Sequence, residues 1–156
     1  MIKIAVLSDT HGNKNGVDNL IEFFKECDYI IHLGDGYEDM EDISHLFGPK
    51  VIQVMGNCDI MYPRVDESFL TLDGVKMFFT HGHRFHVKQS LDYLISYGKM
   101  KGINIIFYGH THRREIKEIN GIVVANPGSL SYYGDKYGFL LLEINNGEYK
   151  IKEINA

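Results

Sequence analysis

Cysteine is scarce in this chain. Cys27 and Cys58 are too few for a disulfide framework, so a reducing, cytoplasmic setting is the default expectation. No apolar run approaches the roughly 18 residues needed to cross a bilayer, and no membrane partner is expected. The opening stretch, MIKIAVLSDTHG, has one lysine before a short apolar run and no small-residue cleavage site. It therefore reads as a first core strand, not as a signal peptide. A basic excess is missing as well: 16 Lys and Arg stand against 21 Asp and Glu, and the net charge is −5. That balance argues against an extended nucleic-acid surface, which would show a basic face. It leaves small phosphoesters open as substrates, because bound metal can make a site locally positive. Repeats, low-complexity tracts and Pro/Ser-rich linkers are also missing. A length of 156 residues with 44% hydrophobic content predicts one domain, residues 1–156, with a substantial core.

What is present is an alternation of apolar runs and amphipathic segments. Strands are predicted at Ile2–Leu7, Tyr29–Leu33, Val51–Met55, Val75–Thr80 and Ile103–Tyr108. Val17, Leu20, Ile21 and Phe24 recur with helical spacing and predict a helix with one buried face. Met40, Ile43 and Phe47 outline a second helix, led by Glu38, Asp39, Glu41 and Asp42, acids that suit a helix N-terminus. Leu91, Leu94 and Ile95 outline a third, with Gly102 as its terminator. Beyond Tyr108 the helical signal ends. Strands are predicted at Glu115–Ile119, Ile122–Ala125, Phe139–Ile144 and Glu148–Glu153, paired by Asn120-Gly121 and Asn146-Gly147 turns. The fold class expected is α/β, with two sheets facing each other.

The chemistry lies where the strands end. Ile2–Leu7 runs into Asp9-Thr10-His11, Tyr29–Leu33 into Gly34-Asp35-Gly36, and Val51–Met55 into Gly56-Asn57-Cys58-Asp59. Val75–Thr80 runs into His81-Gly82-His83, and Ile103–Tyr108 into Gly109-His110-Thr111-His112. Loops beyond the carboxyl ends of strands form the ligand crevice of α/β sheets, so strands lying side by side would bring these clusters together. The residue types suggest metals, and a mixed Asp/His/Asn set without Cys pairs argues against a structural zinc site. Asp-x-His and His-x-His place two side chains on the same side of an extended segment, within reach of one metal or a pair.

These motifs, from Asp9 to His112, resemble those of the calcineurin-like metallophosphoesterases, and within them the small YfcE-like phosphodiesterases. Asn126-Pro127-Gly128-Ser129 resembles a further signature of that family. The resemblance implies a sandwich of two mixed β-sheets flanked by helices (α/β/β/α) and a binuclear centre. By position, Asp9, His11, Asp35 and His112 would hold the first ion. Asp35 would bridge to a second, held also by Asn57, His81 and His110. Two divalent ions, Mn²⁺ first and Ni²⁺, Fe²⁺, Zn²⁺ or Mg²⁺ next, would sit about 3.5–4 Å apart. A hydroxide between them would attack a phosphoester in line, with no protein nucleophile. Against two carboxylates and that hydroxide, the ions leave about one net positive charge for an anionic substrate.

The chain departs from larger relatives in one place: Cys58 follows Asn57 where they have a histidine thought to protonate the leaving group. An ordinary thiol is a poor substitute. His83 and Asp59 are the remaining candidates for that acid, or for residues that orient a metal ligand. Asn57, Cys58 and His83 are the expected substrate contacts. His32 reads as a satisfied interior histidine, His45 as solvated, and His86 as a surface group or part of the site entrance. Arg84, Arg113 and Arg114 are candidate phosphate clamps, with a plain surface role expected for at least two. The apolar stretch Ile60-Met61-Tyr62-Pro63 would shape the pocket or an oligomer interface, and the family makes a homodimer or homotetramer a further expectation. The leading function is a metal-dependent phosphodiesterase. The alternatives are a phosphomonoesterase or nucleotidase on the same centre, and a non-catalytic scaffold like the retromer subunit Vps29.

Overall fold

The structure is a computed structural model and describes residues 1–132 and 134–156. In chain order its elements are β1 (Ile2–Leu7), α1 (Lys14–Asp18), α2 (Ile21–Phe24), β2 (Tyr29–His32), α3 (Glu41–Phe47), β3 (Val51–Gln53), β4 (Glu67–Leu72) and β5 (Val75–Thr80). There follow α4 (Asp92–Met100), β6 (Ile105–Phe107), β7 (Arg114–Ile119), β8 (Ile122–Pro127), β9 (Gly138–Asn145) and β10 (Glu148–Asn155). Short 3-10 turns lie at Tyr37–Met40, Gly48–Lys50 and His83–Phe85.

The strands form two five-stranded sheets, ordered β10-β9-β1-β2-β3 and β4-β5-β6-β8-β7. In the first, β1, β2 and β3 are parallel, and β9 runs antiparallel to both β1 and β10. In the second, β5, β6 and β8 are parallel, with β4 and β7 antiparallel at the edges. Both sheets are mixed, as expected.

Side chains alternate across each strand, and this sorts the core into layers. Ile4 and Val6 of β1 meet Met77, Phe79, Ile105 and Phe107 between the sheets. Ala5 and Leu7 face the other way, under Val17, Phe24, Met40 and Ile43 of the helical side. On the second sheet Phe78, Ile106 and Val124 face outward, against Leu94 and Ile95 of α4. The result is a helix–sheet–sheet–helix stack. Among the described residues no helix is long and apolar enough to cross a membrane.

Two expectations need correction. The strands with polar ends do not all lie side by side in one sheet: β1, β2 and β3 belong to one, β5 and β6 to the other. The two C-terminal hairpins form as expected, each extending a different sheet. The helix predicted from Val17 to Phe24 breaks into α1 and α2, although both residues still reach one apolar cluster. The bounds of strand β4 were not foreseen. Its Glu67–Leu72 sequence is only half-buried, and the signal that could have found it is the Asp73-Gly74 turn, both residues at positive φ.

Candidate metal centre

All seven sequence-predicted ligands meet at the carboxyl ends of the parallel strands. Asp9, His11 and His112 converge in one group, and Asp35, His81 and His110 in a second. The first draws on loops after β1 and β6, the second on loops after β2, β5 and β6, so the two sheets jointly build the site. Asn57 joins the second group, its Oδ1 lying 3.1 Å from His81 Nε2.

Local backbone geometry explains the residue types. Asp9, His11, Asp35, His110 and His112 all have positive φ, between 43° and 73°. Asp and His tolerate this region better than most side chains, and such strain collects at functional sites. Gly56 is required for close approach, since a Cβ there would fall 2.0 Å from Asp35 Oδ1.

Each carboxylate has one oxygen engaged and one turned toward imidazoles. Asp9 Oδ2 accepts from the His110 N–H at 3.0 Å and the Ser8 hydroxyl at 2.5 Å. Asp9 Oδ1 is buried without a hydrogen-bond partner, with Nε2 of His112, His11 and His81 at 3.2, 3.5 and 3.8 Å. Asp35 Oδ1 accepts from the Cys58 N–H at 2.8 Å. Asp35 Oδ2 lies between the groups, 3.3 Å from His81 Nε2 and 3.8 Å from His11 Nε2. His81 Nδ1 donates to the Leu33 carbonyl at 2.8 Å, which turns the Nε2 lone pair into the cluster. His11 and His112 bring their Nε2 atoms within 3.1 Å of each other, and His81 Nε2 and His110 Nδ1 stand equally close. A buried, unbonded carboxylate oxygen ringed by imidazole lone pairs suits divalent cations. The donor set fits the metals the sequence motifs imply.

The electrostatics agree. Burial alone would raise the Asp9 carboxyl, but the close imidazoles of His11 and His112 and the charge of His81 hold it well below the usual range. Asp35 is lowered to about 2: burial opposes this, and the His81 contact outweighs it. His11 is raised, mainly by its close contact with the Asp9 carboxylate. His81 is raised too, because Asp35 and Asp9 overcome its burial. His110 is lowered to about 4 by burial and by His81.

The surrounding residues take distinct places. Asp59 faces the backbone: its Oδ2 accepts from the Asp35 and Gly56 N–H groups at 2.7 and 2.8 Å. Its Oδ1 accepts from the Gly36 and Tyr37 N–H groups at 3.1 and 3.2 Å. Of the two roles left open by the sequence, this geometry matches the one that orients a ligand. His83 stands at the rim, its ring centroid 5.4 Å from His81 and 6.1 Å from His110. Its Nδ1 is buried with no hydrogen-bond partner, and burial and the His81 charge lower its pKa. Cys58 is exposed, and partial burial and Asp35 push its thiol up.

His32 is fully buried and satisfied, accepting at Nδ1 from the Gly34 N–H at 3.0 Å. Its Nε2 lies 3.0 Å from Thr10 Oγ1, which donates to Asp39 Oδ2 at 2.6 Å. This chain ties the Asp9 and Asp35 loops together. The Asn126–Ser129 signature supports the site from behind: Asn126 Nδ2 donates to the Gly109 carbonyl, and Ser129 Oγ donates to that of Asp9.

The arginines need a correction. Arg84 is exposed and pairs with Asp66, and Arg113 is exposed. Arg114 is neither a clamp nor a surface group. It is 9% exposed, and its guanidinium donates to Pro127 O, Asn155 Oδ1 and Ile154 O. It thereby joins β7 of one sheet to β10 of the other, a tertiary role with no local sequence signal. His45 and His86 are exposed.

Fold and site together define a two-sheet α/β/β/α protein with an Asp/His/Asn cluster suited to divalent metals. Residues 2–147 match the family model of the calcineurin-like phosphoesterase superfamily domain, and the chain belongs to that family. It is 30% identical over 130 residues to the probable metallophosphoesterase YsnB of Bacillus subtilis, covering 83% of this chain and 75% of that one. It is 29% identical over 153 residues to phosphodiesterase MJ0936 of Methanocaldococcus jannaschii, covering 85% and 86%. In structure it superimposes on zinc-complexed Vps29 of Entamoeba histolytica with TM-score 0.75 and 24% identity, over 99% of each chain. That last likeness is one of fold.

Proposed function

We propose that this chain is a divalent-metal-dependent phosphodiesterase acting on small phosphoesters. Asp9, His11, Asp35 and His112 would hold one ion and Asp35, Asn57, His81 and His110 the other, with Mn²⁺ the first choice. The observation that carries this reading is the orientation of the two carboxylates: Asp9 Oδ1 lacks a hydrogen bond among three imidazoles, and Asp35 Oδ2 sits between the two groups. When bound, the ions supply Lewis acidity toward the phosphoryl group and acidify the attacking water.

The chain's own residues do the rest. The N–H groups of His110 and Cys58 hold the carboxylates in register, and the Leu33 carbonyl fixes the His81 tautomer. Asn57, Cys58 and His83 are the substrate contacts of this reading, Cys58 exposed and His83 beside the rings of His81 and His110. With Asp59 committed to backbone N–H groups, leaving-group protonation falls to His83 or to solvent, which favours esters of acidic alcohols.

Metal-stripped protein is assayed on bis(p-nitrophenyl) phosphate and p-nitrophenyl phosphate with Mn²⁺, Ni²⁺, Zn²⁺ and Mg²⁺ restored in turn, beside Asp35→Ala. Metal-dependent turnover lost in Asp35→Ala, with the diester preferred, is the expected result. Preference for the monoester would move the reading to a phosphomonoesterase. Stoichiometric metal binding without turnover of either ester would overturn it in favour of a scaffold.

A further inference from the structure

Beside the metal centre lies an aromatic shelf that the ligand set does not use. Tyr37, from the turn after β2, and Tyr62, from the loop after Asn57, stack with centroids 4.2 Å apart and planes 28° apart. The Tyr62 hydroxyl donates to Glu38, which locks the pair to that turn. Met61 stands next to them, 84% exposed. This accounts for part of the apolar stretch after the third motif.

Tyr37, Glu38 and Tyr62 line two neighbouring cavities. One, of about 290 Å³, also includes His11, Asp35 and Cys58 of the metal centre. The other, of about 610 Å³, is completed by Glu41, Ser44, His45 and Gln53. The tyrosine pair and Glu38 thus border both the cavity at the metal centre and the larger space beside it. Among the described residues neither lining has a lysine or arginine, while Glu38 and Glu41 place negative charge there.

We infer that this shelf is the subsite for one ester arm of the substrate, selecting an uncharged or cationic aromatic group and rejecting an arm that carries further phosphate. The inference rests on the phosphodiesterase reading and adds the class of diester. Aromatic faces favour offset stacking with another ring. The tyrosine faces and Glu38 favour a cation, and nothing in the lining offsets a second phosphate. The same surface therefore binds one arm chemistry and repels another.

The test holds p-nitrophenol constant as leaving group and varies the other arm: methyl, phenyl, choline, or an alkyl chain ending in a second phosphate. The expected kcat/KM for phenyl is about five- to tenfold above methyl, the size of one favourable aromatic contact. The choline arm should be at least as good as methyl, and the phosphate-ended arm the poorest. Tyr62→Ser should collapse the phenyl-to-methyl ratio toward one, and Glu38→Gln should raise the phosphate-ended arm relative to methyl.

A readout independent of turnover is alkylation of Cys58, the exposed thiol, since Cys27 is buried. Phenylphosphonate should protect Cys58 at a lower concentration than methylphosphonate, and Tyr62→Ser should remove the difference. Equal turnover of all arms with equal protection would overturn the subsite and leave the phosphodiesterase reading standing. No turnover of any diester, with phenylphosphonate still the better protector, would overturn the reaction while supporting the aromatic site.

Discussion

Replacing Asp59 by asparagine exchanges one carboxylate oxygen for an amide nitrogen at a point where four backbone N–H groups converge, those of Asp35, Gly36, Tyr37 and Gly56. The side chain is 5% exposed, so water has little room to compensate. If the remaining oxygen keeps the two shorter bonds, to Asp35 and Gly56, the Gly36 and Tyr37 N–H groups face an NH₂ donor. A hydrogen bond to a charged acceptor is worth roughly 1.5–3 kcal/mol, and two are lost. Gly36 and Tyr37 are half-buried and can recruit solvent, so the low end applies, about 3 kcal/mol. For a domain of this size that is a Tm lower by roughly 6–12 °C. Because the same N–H groups hold the Asp35 loop, metal affinity should fall about 10- to 100-fold. Thermal unfolding in chelator and calorimetric metal titration measure the two effects separately. Unchanged stability and metal affinity, with turnover lost only for poor leaving groups, would refute the clamp and make Asp59 the proton donor.

Arg114→Met keeps much of the side-chain length and removes three guanidinium bonds, two of them crossing from β7 to β10; about 2–4 kcal/mol of stability should go, read by urea unfolding, with Arg114→Lys recovering only part. His32 has its pKa lowered to about 4 by burial, against 6.5 for an ordinary imidazole. The unfolded chain therefore takes up the proton first, and stability present at neutral pH is lost as pH falls from 6.5 toward 4, by up to roughly 3 kcal/mol. His32→Asn should flatten that slope in a melting-temperature series. Metal uptake has its own pH dependence. His11 and His81 hold their protons more tightly than an ordinary histidine, and metal binds the unprotonated rings. Affinity should be full above their raised pKa values and weaken about tenfold or more per pH unit below them, with protons released on binding, measured by calorimetry in buffers of different ionisation enthalpy.

The residues of the candidate metal centre were legible because their signal is local. A strand that ends in Asp-x-His or Gly-His-x-His announces both the element and its cargo, and residues such as Asp9, His11 and His112 are types that accept positive φ. The same holds for the alternation of Ile4 and Val6 against Ala5 and Leu7, which separates two core layers from a single strand. The division of the strands between two sheets was not legible, because it depends on pairings such as β6 with β8 that reach across the β7 hairpin. Nor were the roles of Asp59, Arg114 and the Tyr37–Tyr62 pair, each defined by partners far away in sequence.

The carboxylates show why that boundary falls where it does. A motif can say that Asp9 and Asp35 are present, but their chemistry depends on which oxygen is left open. For Asp9 that is decided by an N–H 101 residues away, at His110, and for Asp35 by one 23 residues away, at Cys58. Cys58 therefore contributes through its backbone whatever side chain it carries, and the histidine-to-cysteine departure leaves the Asp35 oxygen in place. If Cys58 stands where the resemblance places a proton-donating histidine, the exchange costs an imidazole there without disturbing the proposed ligand set. A defect confined to esters of poorly acidic alcohols, with metal affinity intact, is the consequence that follows from this separation.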